Sequence, residues 1–410
     1  MERLGLSARW SVSEHRGRHV GRAPDRILTV AVVAVWALAL VLGAAYLLTG
    51  RDTTSNAAAI AGETAVSRTP TTRAASPGAA STSATSTTIR RRSLTVVAGG
   101  DVIGDRKVGD YIDAHGGEAV LDGVAPLFAD ADVAFVNLES PLSDKGTRNA
   151  AKDVTFRGRP ALVDGLAAAG VGVVSLANNH ALDWGSEALL DTIARLDGAG
   201  IAHAGAGVNL SAARAPALLE TGAGTVALLA YTNVVPEGFP AGDQRAGVNP
   251  MRPDTQRILA DIGAAAESAD WVIVSVHWGI EYEGETAHEQ RVFAHDFVDA
   301  GADLVLGHHP HVLQGLELYR NKLIAYSLGD FVFDHYSRAT GEAFVLSIQL
   351  APAGPPSLTV SPVYLSDGNG IPQVVGGAEA DGILTRLSAY SKKLGLTLTR
   401  DGDRASFSPT

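Results

Sequence analysis

Short apolar segments alternate with amphipathic segments along most of this 410-residue chain. Apolar runs of four to eight residues are typical of buried strands, and the segments between them have helical spacing with glycines near their ends. The pattern predicts strands at 94–98, 133–136, 171–177, 225–231, 271–276 and 304–306, and helices at 160–169, 186–196, 254–268, 289–300 and 378–393. Continuous apolar strands alternating with helices indicate a largely parallel sheet that is covered on both faces.

The later part of the chain has a different pattern, with four strand-like runs at 313–319, 322–328, 343–350 and 358–364. A run of strands without intervening helices suggests a second sheet that packs on the first. The predicted fold class is therefore α/β with two sheets.

One apolar segment, residues 27–50, is longer than the others and contains no charged residue. About 20 apolar residues are enough to cross a bilayer, so this segment predicts a transmembrane helix. Six arginines and three acids precede it, which predicts a cytoplasmic tail at 1–26 and an extracellular main domain. We expect a single-pass protein of the plasma membrane, and the sequence Gly43-Ala44-Ala45 leaves cleavage of the helix open.

Residues 51–92 are rich in Ser, Thr, Ala and Pro and predict a disordered stalk, followed by a folded domain at 93–400. The chain carries a net charge of −11, and the arginine excess before residue 93 leaves about −18 for the rest. Such an acidic domain argues against a nucleic-acid partner. The chain has no cysteine, so a metal would have to be bound by His, Asp, Glu or Asn.

Side chains that bind metals follow five of the predicted strands: Asp101, Glu139, Asn179 with His180, His277, and His308, His309 and His311 in the sequence GHHPHV. Each has another interpretation when it is taken singly. Asp101 suits a helix cap, Asn179 a turn, and His277 a buried core. Because the carboxyl ends of strands collect ligand groups at one edge of a sheet, we favour a site for two divalent metals.

Six motifs in this order resemble the CapA-type capsule-synthesis, or poly-γ-glutamate biosynthesis (PGA_cap), proteins over residues 94–365. The motifs are GDVI at 100–103 with Arg106, NLESPL at 137–142, ANNH at 177–180 with Asp183 and Gly185, HWG at 277–279 with Glu281 and Tyr282, GHHPHV at 307–312 with Gln314, and YSLGDF at 326–331. These proteins are similar to calcineurin-like metallophosphoesterases. The resemblance implies a two-sheet sandwich flanked by helices, in four layers (αββα), after the transmembrane helix.

The resemblance also implies roles for these residues. Asp101 and His311 would bind a first metal, Glu139 would bridge two metals, and Asn179, His277 and His309 would bind the second. The catalytic residue would be His180, as a proton donor or a stabiliser of an oxyanion. Arg106, Glu281 and His308 would contact substrate or support the ligands. The metals would be Mn, Zn, Fe or Mg, with one or two in each domain.

Two positions depart from the pattern. Ile103 stands where metallophosphoesterases have a histidine ligand of the first metal, and Asp330 stands where the family usually has asparagine. The first departure predicts a weakly held or absent first metal.

The resemblance implies a part in the synthesis or export of an anionic envelope polymer such as poly-γ-glutamate, with membrane synthase or export subunits as partners. The retained ligand set favours an alternative, a metal-dependent hydrolase that cleaves phosphoesters or γ-glutamyl amides of such a polymer. A third alternative, a structural envelope protein without a working site, has the least support because only Ile103 lacks a ligating side chain.

Overall fold

The computed structural model describes residues 92–409. The predicted cytoplasmic tail and membrane helix, and the predicted stalk up to residue 91, lie outside the described residues. Among residues 92–409, each helix is too short or too polar to span a bilayer.

Eighteen strands occur in the described part of the chain. In chain order they are β1 Leu94–Val102, β2 Val133–Leu138, β3 Val173–Ser175, β4 Ala202–Ala204, β5 Ala206–Gly207, β6 Ala217–Thr221, β7 Gly224–Thr232, β8 Gly247–Val248, β9 Trp271–His277, β10 Leu304–His308, β11 Leu316–Tyr319, β12 Lys322–Ala325, β13 Asp330–Val332, β14 Glu342–Leu350, β15 Ser357–Leu365, β16 Pro372–Val374, β17 Thr399–Asp401 and β18 Arg404–Phe407.

The α-helices of the same part are α1 Arg106–His115, α2 Leu162–Ala168, α3 Gly185–Gly198, α4 Leu210–Arg214, α5 Thr255–Ser268, α6 His288–Ala300, α7 Arg338–Gly341 and α8 Gly377–Lys393. Their ends follow local signals. The Asp254 side chain accepts the backbone N–H of Arg257 and caps α5, and Gly301 ends α6 with a φ of +121°.

The strands form two large sheets and one small one. Ten strands form the larger sheet, in the order β17-β18-β15-β14-β1-β2-β3-β4, with β13 beside the end of β1 and β16 beside β15. Six strands form the second sheet, in the order β11-β12-β10-β9-β7-β6, and β5 pairs with β8. Strands β1 to β4 are mutually parallel, as are β7, β9, β10 and β12. The predicted α/β class is confirmed.

Alternate residues of the central strands enter different hydrophobic clusters. In β1, Val96 joins a cluster that also contains Ile273 of β9, whereas Val97 joins a cluster with helices α1 to α3. In β9, Ile273 lies between the sheets, and Val274 packs with α5 and α6. A strand exposes successive side chains to opposite faces, so this alternation buries both faces of each large sheet. The burial of both faces explains the long apolar runs in the sequence.

The assignment of strands to sheets differs from the prediction. The second sheet is not built from the later strand run, because β7, β9 and β10 form its centre and only β11 and β12 come from that run. Strands β13 to β15 return to the larger sheet, where β14 pairs with β1 in antiparallel register. The larger sheet also continues past residue 400, because β18 pairs with β15.

Two glycines allow close approaches of backbone next to the ends of β1 and β10. A Cβ on Gly100 would lie 1.9 Å from the carbonyl oxygen of Gly329, and a Cβ on Gly307 would lie 2.1 Å from that of Tyr326. Only glycine permits this spacing. The close approach of Gly100 to Gly329 brings β13 alongside β1, with Asp330 opposite Asp101.

Candidate metal centre

The centre lies where the carboxyl ends of strands from both large sheets meet. Asp101, near the end of β1, is fully buried. Its Oδ1 accepts a hydrogen bond from Asn137 Nδ2 at 2.8 Å, and its Oδ2 accepts one from the backbone N–H of His309 at 3.1 Å. The second bond joins the larger sheet to the chain that leaves β10 of the other sheet. Asp101 is therefore held from both sides.

A second link between the sheets involves Asn179, in the loop after β3, and His277, the last residue of β9. The Nε2 atom of His277 lies 2.8 Å from Asn179 Oδ1 and 3.4 Å from Oε1 of Glu139. Burial lowers the pKa of His277 well below its ordinary value, and nearby imidazoles such as that of His309 lower it further. The ring is therefore neutral at neutral pH, which is the form that binds metals.

Glu139, just after β2, is fully buried, and neither of its carboxylate oxygens has a hydrogen-bond partner among the described residues. Burial raises the pKa of Glu139 well above its ordinary value, and the charge of Asp101 raises it further. An unpaired carboxylate in the interior is costly unless a cation or a donor reaches it. This orphaned carboxylate fits a metal ligand.

His309 and His311 lie beside Glu139. Burial and the neighbouring His311 lower the pKa of His309 to about 3, and its Nδ1 is buried without a hydrogen-bond partner. His311 behaves differently. Burial lowers its pKa, but the charges of Asp330, Glu139 and Asp101 outweigh burial and raise the pKa to about 10. A proton on His311 thus supplies the positive charge that this group of carboxylates attracts.

His308 is the last residue of β10 and is fully buried. Its Nδ1 lies 3.2 Å from Oδ1 of Asp101, yet both of its ring nitrogens lack a properly oriented hydrogen-bond partner in the described chain. Its ring centroid lies 5.5 Å from that of Phe135. The imidazole therefore packs behind Asp101, between the two sheets.

His180 lies at the edge of the centre with a set of partners of its own. Its Nδ1 lies 2.6 Å from Oδ2 of Asp183, whose Oδ1 lies 2.5 Å from Nζ of Lys152. The Phe156 ring packs against the imidazole, with centroids 4.1 Å apart. Burial lowers the pKa of His180 against the opposing effect of Asp183. The ring is neutral at neutral pH and is fixed in orientation.

A cavity of about 320 Å³ opens beside His180, His311 and Asp330. Arg106 and Glu281 line it, as do the rings of Tyr282, Phe156 and Tyr336. Arg106 Nη1 donates to the hydroxyl oxygen of Tyr336 at 2.6 Å and lies 3.4 Å from Asp334 Oδ1, and its guanidinium lies 4.5 Å from the centroid of Phe156. The cavity joins solvent to the buried carboxylates and imidazoles.

The backbone at the centre adopts unusual conformations. Arg106, Tyr282, His309 and His311 have φ values of +52°, +67°, +97° and +58°. Residues other than glycine rarely have positive φ, and such strain persists only where the surrounding structure imposes it. Arg106, Tyr282 and His311 line the cavity, and His309 lies two residues before His311, which indicates that side-chain placement here overrides backbone preference.

The residues present fit divalent ions. Three groups each offer donor atoms within 4.8 Å of one another: Glu139 with His309 and His311, Asp101 with Glu139 and His277, and Asp101 with His311 and Asp330. Glu139, Asp101 and His311 each belong to two groups. Of these, Glu139 is the carboxylate whose oxygens lack hydrogen-bond partners in the described chain, so its position suits a carboxylate shared by two ions. Oxygen and imidazole donors without sulfur suit Mg, Mn, Fe or Zn.

Comparison with known proteins gives the family of this chain. The family model described as "Bacterial capsule synthesis protein PGA_cap" matches residues 95–335. The chain is 31% identical over 315 residues to "Capsule biosynthesis protein CapA" of Bacillus anthracis, covering 75% of this chain and 76% of that protein. This chain belongs to the PGA_cap family.

Two further relatives have related names. "PGA biosynthesis protein CapA" of Bacillus subtilis is 32% identical over 275 residues, which cover 67% of this chain and 72% of that protein. A "Probable polyglutamine synthesis accessory protein" of Mycobacterium tuberculosis is 40% identical over 243 residues, covering 57% of this chain and 62% of that protein. The predicted resemblance to CapA-type proteins is confirmed.

The PGA_cap match contains every residue that the sequence predicts for the site. The predicted ligands Asp101, Glu139, Asn179, His277, His309 and His311 converge, with His308 behind them and His180, Arg106 and the exposed Glu281 around the cavity. Their roles as ligands or catalysts stay predictions.

Three contributors to the centre had no role in the sequence-based prediction. Asn137 contacts Asp101 through its amide, Asp183 positions His180, and Lys152 approaches from a distant loop. Asn137 and Asp183 lie inside recognised motifs, which is a usable signal. The sequence around Lys152 contains no motif that indicates a place in the centre. Asp330, which the sequence left without a place, lies 2.8 Å from His311.

Proposed function

We propose that this chain is an extracytoplasmic, membrane-anchored CapA-like protein that acts in the synthesis or export of an anionic envelope polymer such as poly-γ-glutamate, and that it binds one or two divalent metal ions. Family membership supports the biological role, because relatives with capsule and PGA biosynthesis names align over most of the chain. Residues 27–50 and the arginines before them support the anchoring and an extracellular domain.

The observation that carries the metal site is the state of Glu139. Its two carboxylate oxygens are buried without a hydrogen-bond partner in the described chain, and two of the donor groups share it. A hydrogen-bonded structural carboxylate would need no cation, as Glu342 illustrates with its bonds from Arg386. Following the resemblance, Asp101 and His311 would hold the first ion and Asn179, His277 and His309 the second, with Glu139 as the shared carboxylate. The donor groups place Glu139 with His309 and His311 in one case and with Asp101 and His277 in another.

The layered arrangement supports a relation to calcineurin-like metallophosphoesterases. One apolar cluster contains residues of both large sheets, and two further clusters join each sheet to its own helices. We propose that the domain is a four-layer αββα sandwich of that type, with the metals at the carboxyl ends of its parallel strands.

A metal-dependent hydrolase is the second candidate function, and the His180–Asp183 pair beside the cavity favours it. Divalent ions at this centre would supply Lewis-acid chemistry by activating water and polarising the bond to be cleaved. A carboxylate only accepts hydrogen bonds, so we assign the Nδ1 proton of His180 to its bond with Asp183. Neutral His180 then presents Nε2 as a proton acceptor, and it donates to a leaving group or a developing oxyanion after it has taken up a proton.

Arg106 is placed to orient an anionic group in the cavity, because its guanidinium is held by Tyr336 and by Asp334. Glu281, at the mouth, would repel a polyanion unless a cation bridges the two. A polymer of γ-linked glutamates has the carboxylates that such a cation would bind. Membrane synthase or export subunits are the proposed protein partners, on the grounds of the relatives' names alone.

Metal analysis and polymer assays of the purified full-length chain test these proposals. We expect Mn²⁺ or Zn²⁺ to be retained after gel filtration, and poly-γ-glutamate to be retained by the metal-loaded chain. No bound metal, before or after its addition, would refute the metal site.

A variant of His180 separates the two candidate functions. Shortening of the polymer or cleavage of a phosphoester would show a hydrolase, and His180→Ala should abolish that activity while metal content and polymer retention stay unchanged. Full hydrolysis by His180→Ala would exclude His180 from the chemistry. Retention without any shortening in the wild type supports the accessory role in synthesis or export.

A further inference from the structure

The proposed first metal position has no counterpart of one histidine ligand of metallophosphoesterases, because Ile103 stands at that place in the sequence. Its side chain is fully buried and belongs to the apolar cluster that joins the larger sheet to α1 and α2. It offers no donor atom to the centre. Asp101 and His311, with the shared Glu139, are left as the ligands on this side.

Asp330 lies at the same corner. It begins β13, which runs parallel to β1, and its Cα is the partner of the Asp101 Cα in that pairing. Its Oδ1 lies 2.8 Å from Nδ1 of His311, which in turn lies 3.8 Å from Oδ2 of Asp101. Donor atoms that each lie about 2.0–2.2 Å from one ion stand roughly 3–3.5 Å apart, and the two distances here lie on either side of that range, so small side-chain shifts would let the three groups share a cation.

We propose that Asp330 supplies a carboxylate ligand to the first metal and so replaces the donor that Ile103 lacks. The inference rests on the proposed metal centre. The family usually has asparagine at this position, whose neutral amide is a weaker ligand for a divalent ion. A carboxylate adds both a donor atom and a negative charge at the corner where a ligand is missing. Asp101, His311 and Asp330 form one of the three donor groups.

A simpler role for Asp330 is to orient His311 through the hydrogen bond to Nδ1. The variant Asp330→Asn separates the two roles. Asparagine keeps an acceptor oxygen for His311 Nδ1 but loses the charge that binds the ion. Asp334→Asn is the matched control, because Asp334 is also buried and lines the same cavity but pairs with Arg106 and belongs to none of the donor groups.

The test is calorimetric titration of the metal-free full-length chain with Mn²⁺, together with counting of the ions retained after gel filtration. We expect Asp330→Asn to weaken binding of one ion by more than about 100-fold, beyond the 10–100-fold that loss of a supporting partner costs. Asp334→Asn should bind as the wild type does. Circular dichroism verifies folding, and Asp330→Ser serves if the asparagine variant does not fold.

A loss of less than 100-fold in Asp330→Asn, or an equal loss in Asp334→Asn, would overturn the role of Asp330 while leaving the metal centre intact. A wild-type chain that binds no Mn²⁺ would overturn the metal centre and the role of Asp330 together.

Discussion

The substitution Glu139→Leu should make the metal-free protein more stable. Leucine has a similar volume and removes two buried oxygens that lack partners in the described chain. A buried polar group without a hydrogen bond costs about 1–3 kcal/mol. We therefore expect the free energy of unfolding to rise by about this amount. The melting temperature should rise by less per kcal/mol than the about 2–4 °C typical of domains of 150–250 residues, because this domain is longer.

When metal is added in excess, the wild type should become more stable than Glu139→Leu. An ion present at 1,000 times its dissociation constant stabilises the folded state by about 4.1 kcal/mol, which exceeds the gain of about 1–3 kcal/mol expected for the variant. The wild type should gain this stabilisation, and Glu139→Leu should not, because the shared ligand is gone. Thermal unfolding in a chelator and in excess Mn²⁺ measures both effects. A lower melting temperature for the variant in chelator, or an undiminished response to Mn²⁺, would refute the reasoning.

Glu342 provides a matched control for this experiment. It is also a fully buried glutamate, but Nε of Arg386 donates to its Oε2 at 2.7 Å, and Nε of Arg338 lies 3.2 Å from its Oε1. Glu342→Leu removes a carboxylate that has partners, so it should lower the melting temperature equally with and without metal. Comparing Glu139→Leu with Glu342→Leu separates the effect of the missing hydrogen-bond partners of Glu139 from the effect of burying a glutamate.

In the metal-free protein, His309 should contribute a loss of stability as pH falls from about 6.5 towards 3, because unfolded His309 takes up a proton that the folded residue, with its pKa of about 3, excludes, whereas the raised pKa values of Glu139 and Asp330 act in the opposite direction. His309→Asn should reduce this slope by up to about 1.4 kcal/mol per pH unit in urea unfolding, and equal slopes would contradict the assignment. Asp183→Asn leaves the ammonium of Lys152 without its buried partner and should cost about 3–5 kcal/mol in the same assay, whereas a loss below 1 kcal/mol would show that the pair is dispensable. Gly307→Ala should cost about 1–3 kcal/mol or more because of the contact with the Tyr326 backbone, while Gly222→Ala, which meets open space, should change little.

Local pattern predicts the central strands and most helices because both faces of each large sheet are covered. The strand at 271–276 is found at Trp271–His277, and the helix at 254–268 at Thr255–Ser268. The pattern stops short in β1, where Gly99, Gly100 and Asp101 interrupt the apolar run although their backbone continues the strand. Pairing with β2 and β13 extends the strand there, and pairing is invisible in a local window.

Helix α1 was missed because only Val108, Gly109 and Ile112 among its ten residues are buried. A local stretch of sequence also could not predict which sheet β14 joins. Its partner β1 lies about 250 residues earlier, and strand-like runs do not state which sheet they join.

The residues that converge at the candidate centre were easier to predict than the sheet order around them, because they lie at or just after strand ends in recognisable motifs. What the sequence did not give was geometry. Lys152 reaches His180 from a loop with no motif, and Asp330 reaches His311 through the pairing of β13 with β1. Such contacts depend on the arrangement of whole strands.

The donor groups are divided between the two large sheets. Asp101 lies near the end of β1, and Glu139 and Asn179 follow β2 and β3 of the same ten-stranded sheet. His277 is the last residue of β9, and His309 follows β10 of the six-stranded sheet. Under the proposed function, an ion bound by both sets would cross-link the sheets much as a disulfide does, in a chain that has no cysteine. Its resistance to unfolding outside the cell would then rise and fall with the supply of metal in the surroundings, so metal starvation would expose the protein to proteases.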